Sequence, residues 1–177
     1  MKNYFLILLC FYSSFIFSQK DSINQVNEKK HELKLNVLGL LTSEWLDVSY
    51  EKLINEESSV GVALQFGFDE GSRVSYSYYR TFSITPYYRR YFSSKYAKGF
   101  YIEGFGMLNT NKDIYDDYDS SNNGNIETSF ALGFSVGGKF VSKDGFTTDL
   151  YLGFGRNYGN NNQELVARIG ISLGYRF

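Results

Sequence analysis

The sequence is almost without cysteine, histidine and proline, each of which occurs once in 177 residues. The single cysteine, Cys10, cannot form a disulfide within the chain. With His31 as the one histidine, neither a histidine–cysteine metal site nor a cysteine–histidine nucleophile pair can be assembled. His31 also precedes the first strand-like segment, far from the long loops. We therefore expect no catalytic residue, no metal site and no cofactor.

An excess of charge of one sign is also lacking, since the formal net charge is −1. Nucleic-acid-binding proteins usually carry a strongly basic face, so that class is not expected. Disordered chains combine few aromatic residues with high net charge, whereas aromatic residues make up 19% of this sequence. Glycine, tyrosine and phenylalanine are abundant, with 17, 16 and 16 copies. This composition indicates a folded chain.

Residues 1–18 have the composition of an export signal. Lys2 gives a short basic start, the apolar run YFLILLCFYSSFIF follows, and Ser18 is a small residue suited to cleavage. The apolar run is shorter than the roughly 20 residues that a membrane-spanning helix needs. We therefore predict a signal peptide over 1–18, followed by a flexible polar leader over 19–31 that ends in His31.

From Glu32 onward, apolar and polar residues alternate with the period of two that is typical of β-strands. Apolar residues at helical spacing over ten or more positions do not occur, and the many glycines also disfavour helices. The alternation predicts eight strands, at about 32–41, 45–54, 59–68, 78–92, 99–109, 127–141, 146–156 and 164–177.

The two faces of these strands differ strongly in composition. One face is almost continuously Leu, Ile, Val, Phe and Tyr, whereas the other mixes glycine and other small residues with charges of both signs. In a closed barrel of eight strands, the interior is just wide enough to be filled by side chains. We therefore predict a structural network of paired charges inside the barrel, formed by Lys34, Asp47, Glu51, Arg89, Glu103, Glu127, Lys139, Asp149, Arg168 and Arg176.

Aromatic residues of the apolar face gather near the short connections 55–58, 93–98 and 142–145. Such clustering is typical of the aromatic girdle of an outer-membrane barrel, which has short turns at one end and longer loops at the other. The long polar segment 109–125 would be one of those longer loops. The sequence therefore predicts an all-β, eight-stranded antiparallel up-and-down transmembrane β-barrel over 32–177.

The final strand GISLGYRF, the export signal and the eight alternating segments resemble the small eight-stranded outer-membrane barrels of the OmpA/OmpX type. The segment SITPYYRRYFSSKYAKGFYIEGFG also resembles a strand pair of short uncharacterised outer-membrane barrel proteins of Gram-negative bacteria. This resemblance implies location in the cell outer membrane, contact with its lipids, and insertion by the barrel-assembly machinery. Tyr175 and the last residue, Phe177, would then form the assembly signal that this machinery reads.

Together these patterns favour an integral outer-membrane protein of structural or surface-interaction type without enzymatic activity. An unknown surface ligand at the loop 110–125 is compatible with this interpretation, because exposed loop tyrosines often make contacts. Two alternatives remain open at this stage. The first is a narrow, porin-like channel, and the second is a soluble periplasmic binder of the lipocalin type.

Overall fold

The structure is a computed structural model that describes residues 29–42, 45–67, 79–93, 96–112, 126–158 and 165–177. The predicted signal peptide 1–18 and most of the leader 19–31 lie outside the described residues. Eight strands and one short helix follow in chain order: β1 His31–Asn36, α1 Val37–Thr42, β2 Trp45–Leu53, β3 Ser58–Gly67, β4 Tyr79–Tyr91, β5 Gly99–Lys112, β6 Ile126–Val141, β7 Phe146–Tyr158 and β8 Leu165–Arg176.

The eight strands form a closed barrel in which each strand pairs with its neighbour in the sequence. All pairings are antiparallel, including the closing one, in which Glu32 lies opposite Arg176 and Asn36 opposite Ser172. The start of β1, the end of β8 and the three short connections 54–57, 92–98 and 142–145 therefore lie at one end, which we call the base. The predicted all-β, eight-stranded up-and-down barrel is confirmed.

Burial alternates along the strands as the sequence period predicts. In β7 the inward side chains of Asp149 and Tyr151 are 1% and 9% exposed, whereas the outward Leu150 and Leu152 are 43% and 45% exposed. Successive side chains of a strand point to opposite faces. The alternate strand positions that carry charged residues thus face the interior, and those that carry apolar residues cover the outside.

The first predicted strand, 32–41, is wrong in its second half, because β1 ends at Asn36 and α1 follows. The Oδ1 atom of Asn36 accepts a hydrogen bond from the N–H of Leu38 at 3.1 Å, which is the capping contact that starts a helix. Gly39 lies against the indole of Trp45, where a Cβ atom would clash. A local side-chain contact thus overrides the alternating pattern.

At the end of β1, the side chain of Asn36 continues the hydrogen bonding between β1 and β8. Its Oδ1 atom accepts the N–H of Ile171 at 3.2 Å, and its Nδ2 atom donates to the carbonyl of Ile169 at 3.3 Å. The β1–β8 seam is therefore short in strand pairing and is extended by one amide side chain.

His31 was expected in the flexible leader, but the structure places it at the first position of β1. Its N–H donates to the carbonyl of Phe177 at 3.1 Å, and the N–H of Phe177 donates back to the carbonyl of His31 at 2.8 Å. This pair of backbone hydrogen bonds extends the closing seam to the last residue of the sequence.

Glycines on the inner face provide the room for large interior rings. The rings of Tyr87, Tyr101 and Tyr151 lie directly over Gly61, Gly137 and Gly170, at the places that a Cβ atom would occupy. A narrow barrel can hold these rings only where the paired residue of the neighbouring strand carries no side chain.

Replacing Gly137 by alanine is expected to destabilise the barrel by about 1 to 3 kcal/mol, the usual cost of overpacking. The added methyl group would meet both the Tyr101 ring and the carbonyl of Leu150, and that backbone atom cannot move aside. The measurement is the urea midpoint of unfolding in detergent micelles. Gly104→Ala is the matched control, because no atom lies within 4 Å of its added methyl group. Equal midpoints for the two variants would contradict this packing.

Candidate functional site

Among the described residues, the barrel interior holds five acidic and five basic side chains, whose formal charges sum to zero. All strands except β3 contribute at least one of them. Each is at most 9% exposed, although the side chain of a charged residue is almost never buried unless it is paired. The ten residues are Glu32, Asp47, Glu51, Glu103, Asp149, Lys34, Arg89, Lys139, Arg168 and Arg176.

Glu51 on β2 is the centre of this network. Its Oε2 atom accepts from Lys34 and, at 2.9 Å, from Nη1 of Arg89. Its Oε1 atom accepts from Lys139 at 2.6 Å. The hydroxyl groups of Ser59 and Tyr91 also donate to Oε1, at 2.6 and 2.7 Å. One fully buried carboxylate therefore binds three cations that come from three other strands.

Arg89 carries the network to the opposite wall. Its Nη1 atom lies 2.6 Å from Oδ2 of Asp149, and its Nε atom lies 2.7 Å from Oε2 of Glu103. Glu103 in turn accepts from Arg168 at 2.5 Å and from the hydroxyl of Ser135 at 3.0 Å. Asp149 also accepts from Lys34 at 2.7 Å. Arg89 and Lys34 are thus each shared between carboxylates, whereas Arg168 pairs with Glu103.

At the base, the network contacts the backbone of a connection between two strands. Glu32 accepts from Lys139 at 2.8 Å and from Nη2 of Arg176 at 2.7 Å. Arg176 also donates to the carbonyl of Ala97 at 2.9 Å. Ala97 lies in the 92–98 connection and is completely buried. The backbone of this connection therefore covers the lower end of the charged interior.

Aromatic rings lie beside the guanidinium groups of Arg89 and Arg168. The guanidinium carbon of Arg89 lies 4.6 Å from the ring centre of Tyr87 and 4.3 Å from that of Tyr101. Arg168 lies 5.0 Å from the Phe105 ring centre. Cations stacked on ring faces are attracted by the ring quadrupole, and more strongly where water is excluded. The rings thus fill the interior and stabilise its cations.

Asp47 joins the network through neutral groups. Its Oδ2 atom accepts from the Asn36 amide at 3.1 Å and from the Tyr151 hydroxyl at 3.3 Å. Asn36 is the residue that ends β1. The same amide therefore links the seam of the barrel to the upper part of the interior.

The structure brings nine of the ten predicted network residues together inside the barrel. The exception is Glu127, which lies on β6 with a side chain outside the described part. Glu32 is a network member that sequence reasoning missed. Glu32 lies on the same face of the strand as Lys34. It occupies the first position of the predicted strand, however, where alternation cannot yet be recognised.

The predicted assembly residues lie on the outer face at the base. Tyr175 and Phe177 are 39% and 52% exposed. The Tyr175 ring packs edge-on against Phe146, with centroids 5.4 Å apart. Of the predicted ligand-binding loop 110–125, residues 110–112 belong to β5, and 113–125 lie outside the described residues.

Over the described residues, the site is a packed interior in which positive and negative charges balance. Within the residues described, there is no group of three histidine, cysteine, aspartate or glutamate side chains placed to hold a metal ion. The same residues include no helix long and apolar enough to cross a bilayer. The chemistry that the site offers is mutual neutralisation of fixed charges.

Comparisons with protein-family models, curated proteins and solved structures find no match to this chain.

Replacing Glu51 by glutamine is expected to lower the free energy of unfolding by about 3 to 5 kcal/mol, the usual cost of breaking a buried ion pair. The substitution keeps the shape of the side chain but leaves three buried cations short of one negative charge. The urea midpoint in detergent micelles measures the loss.

Glu57→Gln is the control for this prediction. Glu57 pairs with Arg90 at 2.5 Å, but these two side chains are 56% and 51% exposed. Exposed pairs are typically worth about 0 to 1 kcal/mol. If both substitutions lowered the midpoint equally, Glu51 would not be the centre of the interior.

Proposed function

We propose that this chain is an integral outer-membrane β-barrel protein of structural or surface-interaction type, without enzymatic activity. One observation carries the proposal: the barrel buries its charges and exposes its large apolar side chains. Phe134, Leu152 and Ile169 are 63%, 45% and 51% exposed, whereas Arg89 and Glu103 are 2% and 0% exposed. Monomeric soluble proteins rarely expose contiguous apolar patches above a few hundred Å².

The dimensions of the barrel support a membrane crossing. A transmembrane β-strand needs about 9 to 11 residues when tilted. The strands β2 to β8 have 9 to 16 residues, whereas β1 has 6. A closed barrel has no open sheet edge, and a sheet that spans a bilayer must be closed in this way.

The aromatic residues near the base support an interfacial girdle. They alternate with inward residues on several strands and are all more than one-third exposed. The set comprises Tyr50, Tyr88, Phe92, Phe100, Phe140, Phe146, Tyr175 and Phe177. Outer-membrane barrels carry such girdles at both interfaces. In the proposed location the protein contacts membrane lipid, and Tyr175 and Phe177 lie where the assembly machinery would read a final strand.

The packed interior favours a structural role over conduction. Its cations and carboxylates are paired at hydrogen-bond distance, and rings fill the space between them. An ion would have to displace these partners to pass. A lipocalin-like binder would place its apolar side chains inside and its charges outside, which is the reverse of this distribution.

The test is fractionation of a Gram-negative host that expresses the chain. We expect the protein to remain in the membrane fraction until detergent is added. It should also change mobility on a gel when it is boiled, because a folded barrel resists the detergent until it is heated. In planar bilayers the purified protein is expected to give no stable conductance, because its interior is filled.

Release into buffer without detergent would contradict the membrane location and favour the lipocalin alternative. Stable single-channel steps from the purified protein would favour the channel alternative instead. A control preparation of the same host without the expressed chain separates these steps from those of host porins.

A further inference from the structure

Three aromatic rings form a continuous shelf on the outer face where β8, β1 and β2 meet at the base. The His31 ring stacks between Tyr50 and Phe177, with centroid distances of 5.9 and 6.0 Å. Nδ1 of His31 also lies 2.6 Å from the hydroxyl of Tyr50. The shelf spans three strands and crosses the closing seam.

Lysine side chains flank this shelf. Nζ of Lys29 donates to the hydroxyl of Tyr175 at 3.3 Å and lies 5.1 Å from the centre of that ring. Lys52 stands opposite His31 in the β1–β2 pairing and is exposed. Lys30, whose side chain is also exposed, lies between Lys29 and His31 in the chain.

Three lysines, Lys29, Lys30 and Lys52, belong to this sector of the base. Elsewhere at the base, Arg90 is paired with Glu57, and Lys143 is followed directly by Asp144 in the β6–β7 connection. By formal charge, these three lysines outnumber Glu28, which precedes Lys29 in the chain, and a terminal carboxylate on Phe177.

The shelf continues upward into the apolar outer surface. Leu33 lies opposite Tyr175, and Leu35 lies opposite Leu173, in the β1–β8 pairing. Leu33 and Leu173 are 52% and 50% exposed. A molecule seated here would therefore meet lysines at one end and apolar side chains at the other, as an amphiphile requires.

We propose that Lys29, Lys52 and the ring shelf together bind the headgroup of an anionic phospholipid. The lipid phosphate lies between the two ammonium groups, and its acyl chains lie along Leu33 and Leu173. Phosphatidylglycerol fits, because its phosphate charge is not neutralised by a cation within the same headgroup. Phosphatidylcholine carries such a cation. This inference rests on the proposed function, since it requires the outer face to contact lipid.

The experiment is native mass spectrometry of the folded protein in micelles containing equal amounts of phosphatidylglycerol and phosphatidylcholine with identical acyl chains. Attraction of the anionic headgroup by two lysines is expected to give the wild type a preference for phosphatidylglycerol of about 30-fold. The Lys29→Gln/Lys52→Gln double variant is expected to lose this preference. Lys29→Arg/Lys52→Arg is expected to keep it.

Lys143→Gln is the matched control, because it removes an exposed charge at the base outside the sector. It is expected to leave the preference unchanged. The inference is overturned if the wild type shows no preference, or if Lys143→Gln loses the preference as fully as Lys29→Gln/Lys52→Gln does. Neither result would contradict the proposed membrane barrel. If the wild type gives no heat-shifted folded band in micelles, both the inference and the proposed function fail. All variants are first checked for that band.

Discussion

The ion pairs of Glu51 are the interaction on which the rest of the barrel depends. This carboxylate is fully buried and binds Lys34, Arg89 and Lys139. A charge buried without a partner costs several kcal/mol, so each of these groups requires the others. Because they come from β1, β2, β4 and β6, they can be satisfied together only when the barrel is closed. The network therefore specifies closure and register.

The charged side chains lie inside the barrel, and apolar side chains cover its outer face. This arrangement is the reverse of that in a soluble barrel, and it relates the packing to the proposed location in a membrane. Interior rings that lie over glycines, such as the Tyr101 ring over Gly137, occupy space that water would need. Outside, Phe134 and Leu152 have no protein layer to cover them, and each is more than 40% exposed. In the proposed membrane location, lipid would surround this surface, and an anionic headgroup would suit the lysines that flank the His31 shelf.

Strand alternation predicted the architecture and nearly all of the interior charges, because a period of two directly separates the two faces. It failed where a local contact competes, since the Asn36 side chain caps a helix in the second half of the predicted strand 32–41. It also missed Glu32 and placed His31 in the leader. Both stand at the start of β1, where their roles depend on partners more than a hundred residues away.

The central claim is that the apolar face contacts lipid, and tryptophan fluorescence quenching tests it most directly. In a background where the single tryptophan is removed by Trp45→Phe, Phe134→Trp places a reporter on the outer face in mid-strand. With the protein in vesicles, lipids brominated in mid-chain are expected to quench this tryptophan strongly, and aqueous iodide is expected to leave it unquenched. Strong quenching by iodide without quenching by the brominated lipid would contradict the account.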